Sequence, residues 1–145
     1  MAYGEWEFNV KCYSAADIWI MFVASAAATE ISAAQNGYAV RLTLAGSAHL
    51  YRITAGGHVQ LNATVTGTFS NWVKIKVTRT IAGEFTLYIN DTLAVAAAGT
   101  NPITDTTYTT SEYISISVGL NDRIGLNQYG ASASDEAPLT SYTPL

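Results

Sequence analysis

Several things are scarce in this chain of 145 residues, and each scarcity excludes something. There is one cysteine, Cys12, so no intrachain disulfide can form. Two histidines, His49 and His58, are too few beside it to build a zinc cage. Charged residues make up 12% of the chain, about half the share in an ordinary soluble domain. Seven Lys and Arg against eleven Asp and Glu leave a net charge of −4, so no basic footprint exists to neutralise phosphates, and nucleic acid is excluded as the main partner. The low charge comes with 49% hydrophobic residues, which excludes intrinsic disorder.

Long apolar runs are also missing. The stretch Ala15 to Ala28 is the most apolar, but Asp17 interrupts it, and it falls short of the roughly 18–20 residues a membrane helix requires. It is no better as the core of a signal peptide. Glu5 and Glu7 occupy the place of a basic leader, Lys11 is the lone base, and the preceding residues already read as a strand. The expectation is a central strand from Ile18 to Ala24, in a protein made or assembled in a cytoplasm without membrane contact. Helical periodicity is absent. Only Ser25 to Ala34 has helix-like composition, and Thr29, Ile31 and its short length make it a loop with at most one turn.

What is present is period-2 alternation. Trp6, Phe8, Val10 and Cys12 fall on one face of a strand, and Glu5, Glu7, Asn9 and Lys11 on the other. The pattern recurs over Tyr38–Leu44, Val59–Val65, Val73–Val77 and Glu84–Asn90, with further strands expected at Leu50–Thr54, Leu93–Ala97, Glu112–Val118 and Arg123–Tyr129. Turn residues punctuate these runs at Asn36-Gly37, Ala45-Gly46, Gly56-Gly57, Ala82-Gly83 and Asn121-Asp122, and Asn90-Asp91 reads as a tight hairpin. About ten short strands with almost no helix predict an antiparallel sandwich or barrel. One domain over residues 1–129 is expected. Residues 130–145 lose the alternation, carry Pro138 and Pro144, and read as an extended tail or arm.

Within Asn71 to Tyr129, the runs Trp72-Val73-Lys74-Ile75-Lys76-Val77-Thr78-Arg79 and Gly83-Glu84-Phe85-Thr86-Leu87-Tyr88-Ile89-Asn90 resemble a laminin-G-like, concanavalin-like jelly roll. Gly4-Glu5-Trp6-Glu7-Phe8 and the strand from Asp17 to Ser25 resemble the first two strands of that superfamily. The resemblance implies an all-β, two-sheet antiparallel jelly-roll sandwich of about ten strands. In it Val73, Ile75 and Val77 face the core, opposed across a hairpin by Phe85, Leu87 and Ile89, and Trp6 and Trp72 are structural. The segments Asp105 to Ser111 and Asn121 to Ile124 resemble domains of tailed-phage virion proteins.

The superfamily includes glycosidases and calcium-binding domains, so both chemistries need a reading. Glu5 and Glu7 share a strand face, but Asn9, Val10 and Cys12 break the acid spacing of the superfamily's hydrolases, and a solvated face is the expectation. Neither histidine stands in a nucleophile context, and Cys12 on the apolar face reads as a buried, inert thiol. The expectation is therefore no enzyme, no catalytic residue and no cofactor. Calcium is the one ion to consider, yet Asp91, Asp105, Asp122 and Asp135 lack the D-x-D-x-D-G spacing and read as turn acids. Among three Trp, nine Tyr and four Phe, the residues Tyr108, Tyr113 and Tyr129 lie where a flat patch could stack on a glycan.

A small sandwich with so few charges is expected to bury part of its outside against another chain. Trp19, Pro138, Tyr142 and Pro144 are the expected subunit contacts. The leading expectation is a non-enzymatic structural virion protein, a phage capsid decoration or cement protein or a head or tail-fibre subunit, acting as a homo-oligomer among other virion proteins. The alternative is a lectin-like carbohydrate-binding module for adsorption to a host surface.

Overall fold

The computed structural model describes residues 3–11, 17–25, 35–43, 45–65, 71–111 and 113–118. Cys12, Asp122, Asp135, the strand expected at Arg123–Tyr129, most of the loop expected over Ser25–Ala34 and the tail at 130–145 lie outside the described residues, as do Tyr129, Pro138, Tyr142 and Pro144. Among the described residues there are eleven strands and no helix. They are β1 (Gly4–Val10), β2 (Ile18–Ala24), β3 (Gly37–Leu42), β4 (Ser47–Thr54), β5 (Gly57–Val65), β6 (Val73–Arg79), β7 (Glu84–Ile89), β8 (Thr92–Leu93), β9 (Ala96–Ala98), β10 (Ile103–Thr104) and β11 (Tyr113–Val118). The first sheet has the order β1-β6-β7-β10, with β8 also paired to β7; the second has the order β11-β2-β3-β4-β5-β9. All pairings are antiparallel, and the two sheets form the expected sandwich.

Alternation explains the first sheet. Val73, Ile75 and Val77 of β6 are buried while Lys74, Lys76 and Thr78 are half-buried on the outer face. Ile75 pairs with Ile89 and Val77 with Leu87, so apolar residues meet across the hairpin as expected. Each such buried side chain stabilises the fold by about 1.5–3 kcal/mol. On the outer face, Glu7 and Glu5 lie 3.9 Å from Lys74 and Lys76, and Lys76 sits over the Tyr88 ring at 4.9 Å. The two glutamates are thus members of a solvated ion ladder. The tight hairpin at Asn90-Asp91 is present, both residues having positive φ (49° and 64°), which is the geometry of a two-residue turn with right-handed strand twist.

The second sheet contains an irregularity that shapes both of its faces. The β2–β3 register shifts between Met21 and Val23. Phe22 and Val23 therefore both join the inter-sheet core with Ile18 and Ile20, while Trp19, Met21 and Ala24 belong to the opposite, outer face. Phe22 bridges the layers, 4.9 Å from the Trp6 ring and 6.2 Å from Phe85.

Three expectations are corrected. Gly37 opens β3 instead of closing a turn; a Cβ there would lie 1.8 Å from the Val23 carbonyl oxygen, so only glycine lets β3 approach the bulge. Trp72 is not a core residue: it precedes β6 and is 46% exposed. The strand expected at Leu93–Ala97 is two pieces, because Thr92–Leu93 pairs with β7 in one sheet and Ala96–Ala98 with β5 in the other, so the chain changes layer at Ala94-Val95.

Candidate functional site

The middle of the second sheet's outer face is built from β2, β3, β4 and β5, consecutive in sequence and adjacent in the sheet. Side chains that point away from the core line up in rows across it. Trp19, Arg41, His49 and Ala63 form one row, Met21, Ala39, Tyr51 and Gln60 the next, and Ala24, Gly37, Ile53 and His58 the third. Met21, Ala24, Ala39 and Ile53 are fully buried beneath this surface. Their small or flexible side chains leave room for larger rings to fold over them.

Those rings gather into one patch. Trp19 lies 5.0 Å from Tyr51 and 4.7 Å from His58 (centroid to centroid), with the planes tilted by 50° and 41°. Tyr51 is also 6.1 Å from both His49 and His58. Tyr51 is a nearly buried floor, Trp19 is partly open, and His58 and Gln60 are exposed.

Polar groups ring the patch. Arg41 Nε donates to Asp17 Oδ2 at 2.8 Å, and Nη2 donates to the same oxygen. The guanidinium carbon is 5.7 Å from the Trp19 ring centre, and Nη1 is 3.5 Å from the Tyr51 hydroxyl. Burial would lower the Arg41 pKa, but the hydrogen bonds with Tyr51 and Asp17 outweigh it and raise the value, so the cation is secure. Gln60 Oε1 accepts from the Tyr51 hydroxyl at 3.2 Å and from His49 Nδ1 at 3.1 Å. An apolar, aromatic surface with a few fixed polar groups around it is the ordinary composition of a small-molecule recognition site.

A second polar cluster sits at the rim where the sheets meet. Asp105 accepts from the Tyr38 hydroxyl (2.6 Å), from Arg52 Nη1 (2.6 Å) and from the Thr107 N–H (2.9 Å). Arg79 Nη2 donates to the Asp105 carbonyl at 3.0 Å, and its guanidinium lies over the Tyr38 and Phe85 rings at 5.1 and 4.8 Å. Burial would raise the Asp105 pKa, but Tyr38, Thr107 and Arg52 together bring it below the ordinary carboxylate range. Burial and the bond to Asp105 push the Tyr38 hydroxyl up to about 12. These contacts join β3, β4 and β6 to the loop after β10, which makes this cluster a structural anchor.

The residues singled out from sequence fall in several places. Tyr108 packs edge-on against Tyr38 at 5.8 Å, and its hydroxyl is hydrogen-bonded with the Thr54 hydroxyl (2.9 Å) and with Asn36 Oδ1 (3.2 Å), so its polar end is committed to the fold. Tyr113 begins β11 and pairs with Ala24, its side chain lying outside the described residues. Trp19 is on the outer face described above. Asp91 pairs with Lys74 at 2.6 Å across the hairpin, and no three His, Cys, Asp or Glu side chains among the described residues are placed to share a metal ion. Sequence reasoning missed Arg41, His49, Tyr51, His58 and Gln60 as a group. The available signal was the inward-facing alternation of Ile18 and Ile20, Val40 and Leu42, and Ala48 and Leu50, which sends the intervening residues to one common face.

No family model matches the chain, and no curated protein matches it. Among solved structures it is similar to the carbohydrate binding module CBM66 from Bacillus subtilis, with a TM-score of 0.59 and 12% sequence identity. The match covers 81% of this chain and 75% of that one. At this identity the likeness is one of fold.

Proposed function

We propose that this sandwich is a non-catalytic carbohydrate-binding module, and that its ligand lies on the outer face of the second sheet against Trp19, Tyr51 and His58. The observation that carries the reading is the ring cluster itself, set among Arg41, Asp17, His49 and Gln60. A sugar presents a patch of C–H groups on its ring face and hydroxyls around its edge. An aromatic surface takes the first, and fixed donors and acceptors take the second. The structural neighbour's name supports the same reading. The virion role rests on sparse charge and a resemblance in sequence, neither of which selects a surface. Adsorption to a host glycan would be compatible with both.

The test is a glycan array followed by calorimetry on the best ligand. Trp19→Ala should weaken binding at least tenfold, about 1.4 kcal/mol. Trp72→Ala removes a more exposed tryptophan, one that precedes β6 of the other sheet, and should leave affinity unchanged. Binding that survives loss of Trp19 refutes the assignment.

A further inference from the structure

The same face also says which sugars it takes, an inference that rests on the glycan-binding reading above. Asp17 and Arg41 are the only residues with a full charge at outward positions of the second sheet among the described residues. They neutralise each other, both Arg41 bonds going to the single oxygen Oδ2 of Asp17. Side-chain exposures of 30% and 32% leave the pair in contact with solvent. Asp17 Oδ1 has no partner among the described residues, and Arg41 Nη1 has only the long 3.5 Å approach to Tyr51. The carboxylate thus keeps an unused acceptor and the guanidinium a lightly used donor, in an ion pair whose cation lies over the Trp19 ring, 5.7 Å from its centre. Gln60 adds a third free group: its Oε1 is used twice, while its amide nitrogen has no partner among the described residues.

Two adjacent hydroxyls on a sugar ring can satisfy such a pair, one donating to the carboxylate oxygen and the other accepting from the guanidinium. A sugar carboxylate or sulfate cannot, because it would meet Asp17 Oδ1 with like charge and find no uncompensated cation in return. Ring geometry narrows the class again. The three planes are tilted by 41–67° and their centres are 4.7–6.1 Å apart, so they form one angular patch and not a coplanar strip. A flat crystalline polysaccharide surface does not fit it; a single residue of a soluble chain does.

We infer that the site binds an uncharged, soluble glycan by one sugar residue, stacking it on Trp19 and reading a vicinal hydroxyl pair with Asp17 and Arg41. The experiment compares neutral hexose oligosaccharides, uronate-containing oligosaccharides and an insoluble crystalline polysaccharide, each with the wild-type chain, Trp19→Ala and Asp17→Asn. The neutral oligosaccharide should bind. A deoxy analogue lacking one hydroxyl of the pair should lose about tenfold, and Asp17→Asn should lose a similar factor while keeping its melting temperature within a few degrees. The deoxy analogue keeps the test sound whether or not the variant folds. Preference for uronates or for the crystalline surface, abolished by Trp19→Ala, would overturn the inference and leave the site reading standing. So would equal affinity for parent and deoxy sugars. Glycan binding that ignores Trp19→Ala, or no binding to any of the three, would overturn the site reading and the inference with it.

Discussion

Replacing Asp105 with alanine is the sharpest test of how the two sheets are locked. The Asp105 side chain is 6% exposed and Arg52 is 29% exposed. Removing the carboxylate leaves the Arg52 cation with the Thr107 hydroxyl at 3.1 Å and no counter-charge, and leaves the fully buried Tyr38 hydroxyl, which accepts from the Tyr108 N–H at 3.2 Å, with the residue 105 carbonyl at 3.3 Å as its acceptor. Breaking a fully buried ion pair costs about 3–5 kcal/mol; partial exposure lets Arg52 recover some hydration, so about 2–4 kcal/mol is expected. For a chain of this length that is a fall in Tm of roughly 5–15 °C. Urea denaturation followed by circular dichroism measures it. Tyr38→Phe removes the partner hydroxyl, and the double variant should show a coupling of about 0.5–3 kcal/mol with Asp105→Ala. A loss below about 1 kcal/mol for Asp105→Ala, or strict additivity in the cycle, would refute the anchor role.

The same cluster sets the pH limits. Because Asp105 is held below its ordinary value, its contribution is complete above about pH 4 and is lost as the pH falls through the folded-state value, so Asp105→Ala should flatten the acid limb of a stability profile. Tyr38 is raised to about 12, so its contribution is present below about pH 10 and disappears as the pH climbs towards 12, a loss that Tyr38→Phe should not show. Gly37→Ala forces a Cβ into the Val23 carbonyl and should cost more than about 3 kcal/mol or prevent folding, as expression and melting would show. At the β7–β8 turn, Asp91→Val should be at least about 1 kcal/mol less stable than Asp91→Gly, since φ is positive there; equal melting temperatures would contradict the turn assignment. Glu5→Gln with Glu7→Gln should change stability by less than about 1 kcal/mol, because these are exposed pairs at long distance.

Strand period was the most legible feature of this chain. Trp6, Phe8 and Val10, or Val73, Ile75 and Val77, alternate with polar neighbours, and a half-buried strand is the one structure that uses such a pattern. What alternation cannot supply is a change of sheet within one apolar run, so Leu93 to Ala97 read as one strand although the chain crosses the sandwich there. Asp105 read as a turn acid, and it does make that local bond to the Thr107 N–H. Its contacts with Tyr38 and Arg52 join residues 67 and 53 positions away, beyond the reach of local pattern. The candidate site was hidden for a related reason. His49 fell outside the strand expected at Leu50–Thr54, whereas β4 begins at Ser47, so the row that joins it to Arg41 and Trp19 was not visible.

Tryptophan indole signals offer the most direct measurement of the central claim. The three tryptophans report three environments: Trp6 is in the core, Trp72 is exposed before β6, and Trp19 is on the proposed binding face. In a nitrogen–proton correlation spectrum titrated with the tightest glycan, the Trp19 indole signal should move in step with binding while those of Trp6 and Trp72 stay in place. A glycan that binds and shifts Trp72 while leaving Trp19 still would contradict the account.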